Sequence, residues 1–338
     1  MNYLNRLPPP APVNLFSAQF SGLYASVAAP PLATLPAVGL QWFAVRQRFQ
    51  QFHNDLTLTP RQYVDGLTKR NGVVNCLNRR YYGSASDTDN SFLVGSWGKG
   101  TAMRPPRDVD LYFLLPVGVH ARFQGHVWNR QSALLQEVKS VLTETYPDTD
   151  MSGDGQVVVV RFGSYSVEVV PAFLLTTGQY WICSTGNGGS YKVSDPWAEV
   201  NYINSVDRAN NGNLRPLIRM LKAWQAYCGV PIKSFQLELL AADFICKSPW
   251  RLYDYFWFDW ICRDFFLYLY HRANSSITLP GTLARALESI YLGDEWQSRA
   301  ESAWRRAVKA CDHECYNRVE AAGEEWQKIF GPQIPRTV

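Results

Sequence analysis

The stretch FLVGSWGKGTAMRPPRDVDLYFLLP, residues 92–116, decides the fold. It opens with the apolar run Phe92–Val94, which predicts a short buried strand. The chain is then expected to turn at Gly95 and Ser96 and to cross a polar, basic loop. A second strand is predicted from Asp108 onward, because the aromatic and aliphatic residues that follow favour strands. The stretch therefore predicts two strands joined by a loop that carries charged side chains.

Two aspartates begin the second predicted strand, separated by one valine. Side chains two residues apart on a strand lie on the same face, so Asp108 and Asp110 are expected to point the same way. Two carboxylates that close repel each other, and a divalent cation relieves the repulsion. Carboxylate oxygens are the ligands that Mg²⁺ takes, which makes the pair a candidate magnesium site. An alternative interpretation is that both aspartates face solvent at the edge of the strand.

The loop before the aspartates has the composition of a phosphate-binding loop. Gly95 allows a close approach of the backbone to an anion, and Ser96 and Lys99 can add donors. The loop does not contain the GxxxxGK[ST] pattern of a Walker loop. A triphosphate is therefore expected to lie over Ser96 while the cations held by the aspartates contact it.

These residues match the hG[GS]…DhDh signature of the polymerase-β-like nucleotidyltransferases. Within that superfamily, G-S-x-x-K-G-T followed by D-V-D-L resembles the cGAS/DncV-like nucleotidyltransferases, a group with bacterial members (CD-NTases) that is related to oligoadenylate synthetase. The resemblance implies an α+β fold: a polymerase-β-like core with a mixed sheet of about five strands, and a helical C-terminal lobe that makes the molecule bilobal. It also implies that the nucleotide binds in the cleft between the lobes.

A third acid is predicted on a later pair of strands. Residues 157–162 and 165–170 have strand patterns joined at Gly163 and Ser164, which predicts a hairpin. Glu168 lies in the second strand, and a buried strand rarely carries an unpaired carboxylate. The sequence V-x-V-V-P-A-F around it resembles the strand that bears the family's third metal ligand, where the usual residue is Asp. The alternative is that Glu168 is an exposed side chain of the hairpin.

The C-terminal part contains a second group of candidate residues. Residues 214–229 predict an amphipathic helix whose basic side chains are Arg215, Arg219 and Lys222, which by itself indicates a solvated basic face. The pattern R-x-L-K-x-W and the following K-S-F-Q resemble the family's donor-nucleotide site. This resemblance implies that Lys222 and Ser234 bind the triphosphate and that Phe235 stacks on the base. Ser234 could equally cap the next helix.

The organisation of the chain is predicted from composition and periodicity. Residues 1–40 are proline-rich and are interpreted as an extension outside the family's fold. Residues 41–200 are predicted to form the catalytic core, including a long spine helix that starts at Thr59 and Pro60. Residues 176–194 are interpreted as a mobile loop near the acceptor nucleotide. Residues 201–338 are predicted to form the helical lobe, closing with the family-like motif W-x-K-h-F-G.

The bulk properties restrict the class of protein. The chain has 338 residues, is 46% hydrophobic and carries a net charge of +4, which fits nucleotide binding without requiring a nucleic-acid partner. Its seven cysteines, an odd number, favour reduced thiols in a cytoplasmic protein. Apolar runs are shorter than the roughly 18 residues of a membrane span. The sequence therefore predicts a cytoplasmic protein that does not cross a membrane.

The predicted function follows from the resemblance. The chain is expected to join NTPs (ATP, GTP, UTP or CTP) into a cyclic or short linear second messenger, with Mg²⁺ or Mn²⁺ as cofactor, in bacterial anti-phage signalling (CBASS) that could include a regulatory protein partner. Three alternatives stay open: a nucleotidyltransferase that modifies an RNA end or a protein, a non-catalytic nucleotide-binding module, and a nucleic-acid sensor.

Overall fold

A computed structural model describes residues 42–126, 128–279 and 289–338. The proline-rich extension predicted for residues 1–40 lies outside these residues. The helices are α1 (Phe43–Leu56), α2 (Pro60–Tyr82), α3 (Gly95–Gly98), α4 (Val117–Gln124), α5 (Arg130–Thr145), α6 (Pro196–Ala209), α7 (Leu214–Tyr227), α8 (Ser234–Lys247), α9 (Phe258–Tyr270), α10 (Gln297–Cys315) and α11 (Val319–Phe330). The strands are β1 (Ser91–Leu93), β2 (Asp108–Leu114), β3 (Asp150–Asp154), β4 (Val157–Arg161), β5 (Ser166–Leu174), β6 (Tyr180–Ser184), β7 (Ser190–Ser194), β8 (Ser276–Thr278) and β9 (Ser289–Tyr291).

The chain divides into two compact units. One contains residues 55–219 and 276–291, and the other contains the described residues of 1–54 together with 220–275 and 292–338. The first holds the seven-stranded sheet, and the second is helical. The α+β class and the helical character of the C-terminal region are therefore confirmed, while the boundary at residues 200 and 201 stays a prediction.

The sheet is mixed, as predicted. Five strands follow the order β1-β2-β5-β4-β3, and β6 and β7 continue from the far end of β5. β2 runs parallel to β5, and every other pairing in this sheet is antiparallel. The predicted hairpin of residues 157–170 is present as β4 and β5, which places β5 between β4 and β2.

The predicted loop over residues 176–194 was wrong in its larger part, because it contains β6 and β7. β6 and β7 pair with each other, with Trp181 opposite Val193, and the side chains of Tyr180 and Ile182 on β6 are buried. The Gly and Asn residues that suggested a loop fall mostly at Gly186, Asn187, Gly188 and Gly189, between the two strands. Burial of aromatic and β-branched side chains therefore outweighs the loop-like composition of the segment.

The faces of β2 alternate as a strand pattern requires. Val109, Leu111 and Phe113 lie in one apolar cluster, to which α2 and α5 contribute Val73, Val74, Leu77, Leu134, Leu135, Val138, Val141 and Leu142. The opposite face begins with Asp108 and Asp110 and continues into Tyr112, which belongs to a second, smaller cluster. The apolar face thus fixes which way the acids point.

The predicted start of the spine helix is confirmed. Thr59 caps α2 by accepting a bond from the N–H of Gln62, whose side chain accepts from the Thr59 N–H. Pro60 occupies the first turn, and Gly83 ends the helix in the left-handed conformation with φ 66°.

The helices of the described residues were compared with the length and hydropathy of a membrane span, and none of them meets both requirements.

The helical unit contains a fully buried arginine among aromatic side chains. Arg48 on α1 donates through Nε to Glu314 Oε1 at 2.8 Å and through Nη2 to the carbonyl of Val319 at 2.7 Å. Its Nη1 donates to the carbonyls of Pro335 and Arg336. The guanidinium therefore satisfies carbonyls near the start of α11 and in the segment after it.

Replacing Arg48 with methionine should destabilise the protein by about 3–5 kcal/mol, because Glu314 and three carbonyls would stay buried without their donor. The free energy of unfolding from urea denaturation measures the loss. Arg46→Met is the matched control: Arg46 forms an ion pair with Asp254 at 2.7 Å, but both side chains are more than 40% exposed. That change should cost less than about 1 kcal/mol, and equal losses for the two variants would contradict the role given to Arg48.

Candidate active site

The structure brings the three predicted acids together. On the parallel pair β2 and β5, Asp110 is the register partner of Glu168, and Asp108 lies two residues earlier on the same face. One carboxylate oxygen from each of the three lies within 4.8 Å of the others, and all three side chains are half-buried. Three close carboxylates form the hard, anionic donor set that suits Mg²⁺ or Mn²⁺. The residues thus fit a divalent cation.

The position of Glu168 in the sheet bears on the two interpretations made from the sequence, a metal ligand and an exposed side chain of the hairpin. Glu168 is paired on one side with Asp110 of β2 and on the other with Val159 of β4, so its strand is internal. Because β5 is an internal strand and Glu168 is half-buried beside two further acids, Glu168 is not an exposed side chain of the hairpin. Its role as a metal ligand stays a prediction.

Gly95 is required where the loop meets the acids. Its φ is +53°, and a Cβ added there would lie 1.8 Å from Asp110 Oδ2 and 2.5 Å from Asp110 Cγ. The backbone of Val94 also donates to the Asp110 carbonyl at 3.0 Å. The backbone at Gly95 therefore lies directly against the carboxylate, and only glycine leaves that carboxylate in place.

The loop after Gly95 is a compact, internally bonded turn that includes the short helix α3. The N–H groups of Gly98, Lys99, Gly100, Thr101 and Ala102 donate to carbonyls of residues 94–97. These five N–H groups, two of them from glycines, already have carbonyl partners. They are therefore not available as donors to an anion. Ser96 is half-buried beside Gly95, and its contact with a phosphate stays a prediction.

Lys99 lies inside the protein rather than in the open loop. Its side chain is 6% exposed, and Nζ lies 3.7 Å from Glu199 Oε2 on α6. A nucleotide phosphate and Glu199 would therefore compete for the same ammonium group. The predicted contact of Lys99 with nucleotide stays a prediction.

Arg215 and Arg219 do not form the solvated face expected from the sequence. Arg215 Nε donates to the Lys99 carbonyl at 2.9 Å, and its Nη1 donates to Asp207 Oδ2 at 2.8 Å. Arg219 donates to the carbonyls of Ala102 at 3.0 Å and Gly100 at 2.6 Å. The prediction of a solvated basic face was wrong because both arginines bind main-chain carbonyls of the loop, which cannot be recognised from the amino-acid pattern. The spacing of four residues, which places both arginines on one face of α7, was the available signal.

The remaining predicted nucleotide ligands belong to the helical unit. Lys222 Nζ lies 2.5 Å from Glu238 Oε1, with both side chains nearly buried. Ser234 Oγ donates to Gln225 Oε1 at 2.9 Å, and Phe235 is half-buried. The suggested capping role of Ser234 was wrong by one residue: Lys233 is the N-cap of α8, and its N–H donates to Gln236 Oε1 at 3.1 Å.

Three aromatic residues that the sequence did not lead us to select, Phe92, Tyr112 and Trp197, form a group beside the acids of β2. Phe92 stacks on Tyr112 at 5.3 Å and on Trp197 at 4.7 Å between ring centroids. The Tyr112 hydroxyl pairs with Ser194 Oγ at 2.8 Å. Burial raises the pKa of Tyr112, and the nearby charges of Glu199 and Asp110 raise it further. The phenol therefore stays protonated at neutral pH beside the acids.

Comparison with known proteins agrees with this geometry. Residues 43–207 match the family model of the Second Messenger Oligonucleotide or Dinucleotide Synthetase (SMODS) domain, a range that contains all three acids and the loop before them. By this match, which covers just under half of its residues, the chain is similar to the cGAS/DncV-like nucleotidyltransferases.

Two curated relatives are similar in sequence. A cyclic AMP-AMP-AMP synthase of Acinetobacter sp. is 22% identical over 269 residues, which are 73% of this chain and 73% of that protein. A probable cyclic nucleotide synthase of Bacillus cereus is 22% identical over 214 residues, 60% of this chain. The second match spans 62% of that relative's length, less than two thirds.

Solved structures share the fold. CdnC of E. coli MS115-1, solved with ATP, superposes with a TM-score of 0.62 at 18% identity and covers 86% of this chain and 98% of its own. That protein has also been solved in a complex with HORMA-deltaN. DncV of Vibrio cholerae, solved with the linear intermediate 5′ pppA(3′,5′)pG, gives a TM-score of 0.63 at 12% identity over 85% of this chain and 97% of its own.

Changing Gly95 to alanine should lower nucleotide incorporation by about 100-fold, because the new Cβ would displace the Asp110 carboxylate. Initial rates of pyrophosphate release measure the effect. Gly83→Ala is the matched control, since Gly83 has φ +66° and nothing lies within 4 Å of an added Cβ. Both variants carry left-handed strain of about 1–2 kcal/mol, but only the first should lose activity. Similar activity in the two variants would show that the Asp110 carboxylate tolerates displacement.

Proposed function

We propose that this protein joins NTPs into a cyclic or short linear oligonucleotide and releases pyrophosphate. The observation that carries the proposal is the group formed by Asp108, Asp110 and Glu168, with the Gly95–Ser96 backbone packed against one member. A set of acids beside a phosphate-binding loop suits phosphoryl transfer, in which catalysis is mostly positioning and charge stabilisation. The names of the curated relatives, both cyclic nucleotide synthases, support this reaction.

The chemistry assigned to the three acids is two-metal phosphoryl transfer. Asp108, Asp110 and Glu168 would hold the divalent cations, Mg²⁺ or Mn²⁺. When bound, such ions stabilise the charge on the attacking and leaving oxygens. The ribose hydroxyl oxygen of the acceptor would form a bond to the α-phosphorus while the hydroxyl proton passes to water, and the bond from the α-phosphorus to pyrophosphate would break. The carboxylates keep their positions because β2 and β5 are held by the apolar face beneath them.

The triphosphate and base are assigned to the remaining residues. Ser96 and Lys99 would bind phosphate oxygens. Lys222 and Ser234 would bind the triphosphate, and Phe235 would stack on the donor base. Such contacts lower the barrier by orientation and charge rather than by covalent chemistry.

The proposal extends to substrates and biological setting. CdnC and DncV have been solved with ATP and with a linear adenylate–guanylate intermediate, which supports NTPs as substrates. The complex of CdnC with HORMA-deltaN supports a regulatory protein as partner of this chain. We place the protein in the bacterial cytoplasm, in second-messenger signalling against phage.

The direct experiment is mass spectrometry of the products formed by the purified chain with all four NTPs and Mg²⁺, without any added acceptor. A messenger synthase should yield a cyclic or short linear oligonucleotide under these conditions. An enzyme that modifies an RNA end or a protein would yield product only after its acceptor is added. A non-catalytic module would yield none. The double variant Asp108→Asn, Asp110→Asn is the control, since it keeps side-chain shape but removes the charge, and it should abolish the products.

Glu168 gives the sharpest test of the metal assignment, because it replaces the family's usual Asp. Glu168→Gln should lower the initial rate at least ~100-fold and weaken its dependence on Mg²⁺. Glu168→Asp should retain or improve activity, since it restores a carboxylate of the usual length. The ordering of the three proteins is read from initial rates across a Mg²⁺ titration. Three superimposable curves would remove Glu168 from the set of metal ligands.

A further inference from the structure

The loop that carries Lys99 and follows Ser96 has its carbonyl oxygens turned toward one helix. The carbonyls of Lys99, Gly100 and Ala102 accept bonds of 2.9, 2.6 and 3.0 Å from Arg215 and Arg219 of α7. Three carbonyls within four residues are thus bound by two guanidinium groups. All of these residues lie within the sheet-bearing unit.

The N–H groups of the same loop donate to carbonyls at its own start. Those of Thr101 and Ala102 both donate to the Ser96 carbonyl, at 2.8 and 3.1 Å, and that of Lys99 donates to Gly95 at 3.1 Å. The loop is therefore bonded on one side to the backbone of Gly95 and Ser96 and on the other side to α7. These hydrogen bonds connect the carbonyl side of the loop to the backbone of Ser96.

Arg219 holds the loop at two points with one rigid group. Its Nε donates to Ala102, and its Nη2 donates to Gly100, so the planar guanidinium bridges residues on both sides of Thr101. Arg215 is shared with α6, because it also donates to Asp207 and to Asn204 Oδ1 at 2.6 Å. Because Arg219 binds two carbonyls of the loop and Arg215 binds one, Arg219 is the residue chosen for the test.

The loop has glycine where Arg215 approaches it. Gly100 has φ +67°, and a Cβ added there would lie 3.0 Å from Arg215 Nε. A side chain at this position would push the guanidinium away from the Lys99 carbonyl. The close approach therefore depends on both partners, the arginine of α7 and the glycine of the loop.

We propose that Arg219 is a positioning residue for the nucleoside triphosphate: by bridging the Gly100 and Ala102 carbonyls it fixes the loop that presents Ser96 and Lys99 to the phosphates. This inference rests on the proposed function, since it concerns the affinity of the same site for its substrate. Arg219 acts through the loop and touches no reacting atom. A contact made equally with bound substrate and transition state changes KM and leaves kcat alone.

The test is Arg219→Lys, because an ammonium group keeps the charge but cannot bridge both carbonyls in one plane. We expect KM for NTP to rise about 10-fold, kcat to change less than about 2-fold, and the Mg²⁺ concentration for half-maximal rate to stay unchanged. Hydrogen–deuterium exchange should quicken at residues 99–102 and stay as in the wild type across β2 and β5. A KM equal to that of the wild type, or faster exchange spread over the whole sheet, would overturn the proposal.

Arg70→Lys is the matched control. Arg70 is a buried arginine of the same unit that donates to the Asp87 carbonyl at 3.1 Å and to Ser91 Oγ at 3.0 Å, away from residues 99–102. It should lower thermal stability without raising KM. If both variants raise KM alike, general loosening explains the effect and the assignment to Arg219 fails.

Gly100→Ala strains the residue whose carbonyl accepts from Arg219 Nη2 and also crowds Arg215 Nε, and it serves if Arg219→Lys does not fold. It should raise KM with kcat nearly unchanged, and an unchanged KM would count against the proposal. Binding of a fluorescent ATP analogue provides a measurement that needs no turnover. A wild-type chain that makes no product would refute the proposed function, whereas an active wild type with unaffected variants would refute only the role of Arg219.

Discussion

Mutual repulsion among three carboxylates is the constraint on which the rest of the sheet-bearing unit depends. Asp108, Asp110 and Glu168 offer oxygens within 4.8 Å of one another, an arrangement that folding alone would not favour. The apolar residues on the reverse face of β2 and β5 keep the acids together, because any rotation that separated the acids would expose that core. A one-residue slip of β5 would turn Glu168 to the other face, so the parallel register is as important as the acids themselves.

In both units, arginine side chains bind main-chain carbonyls that lie in irregular segments or at the end of a helix. Arg48 binds the carbonyls of Val319, Pro335 and Arg336, and Arg215 and Arg219 bind three carbonyls of the loop before β2. An unbonded buried carbonyl costs free energy, and guanidinium can serve several acceptors at once. Irregular segments in both units thereby obtain fixed shapes without helix or strand bonding. For the loop, these bonds fix the segment that follows Gly95, whose backbone lies against the Asp110 carboxylate.

The parts of the site that the sequence could predict are those set by local geometry. The spacing of Asp108 and Asp110 follows from strand alternation, and the start of α2 follows from the capping chemistry of Thr59 and Pro60. Glu168 could be selected because an acid in an apolar strand is costly without a partner. The contacts of Arg215 and Arg219 with the loop could not be predicted, because the acceptors are backbone carbonyls 116 to 119 residues away. The ion pairs of Lys99 with Glu199 and of Lys222 with Glu238 could not be predicted either, because only the tertiary fold brings these residues together.

The long sequence separation between the loop and its arginines has a consequence for the chain during its synthesis. Residues leave the ribosome in order, so Asp108 and Asp110 emerge well before β5 and earlier still than α7. Until β5 arrives, one edge of β2 is unpaired and its two acids lack the third. Until α7 arrives, the carbonyls of residues 99–102 have no guanidinium to bind. In a nascent chain the three acids and the bonded loop are thus assembled late, when translation has already passed Arg219.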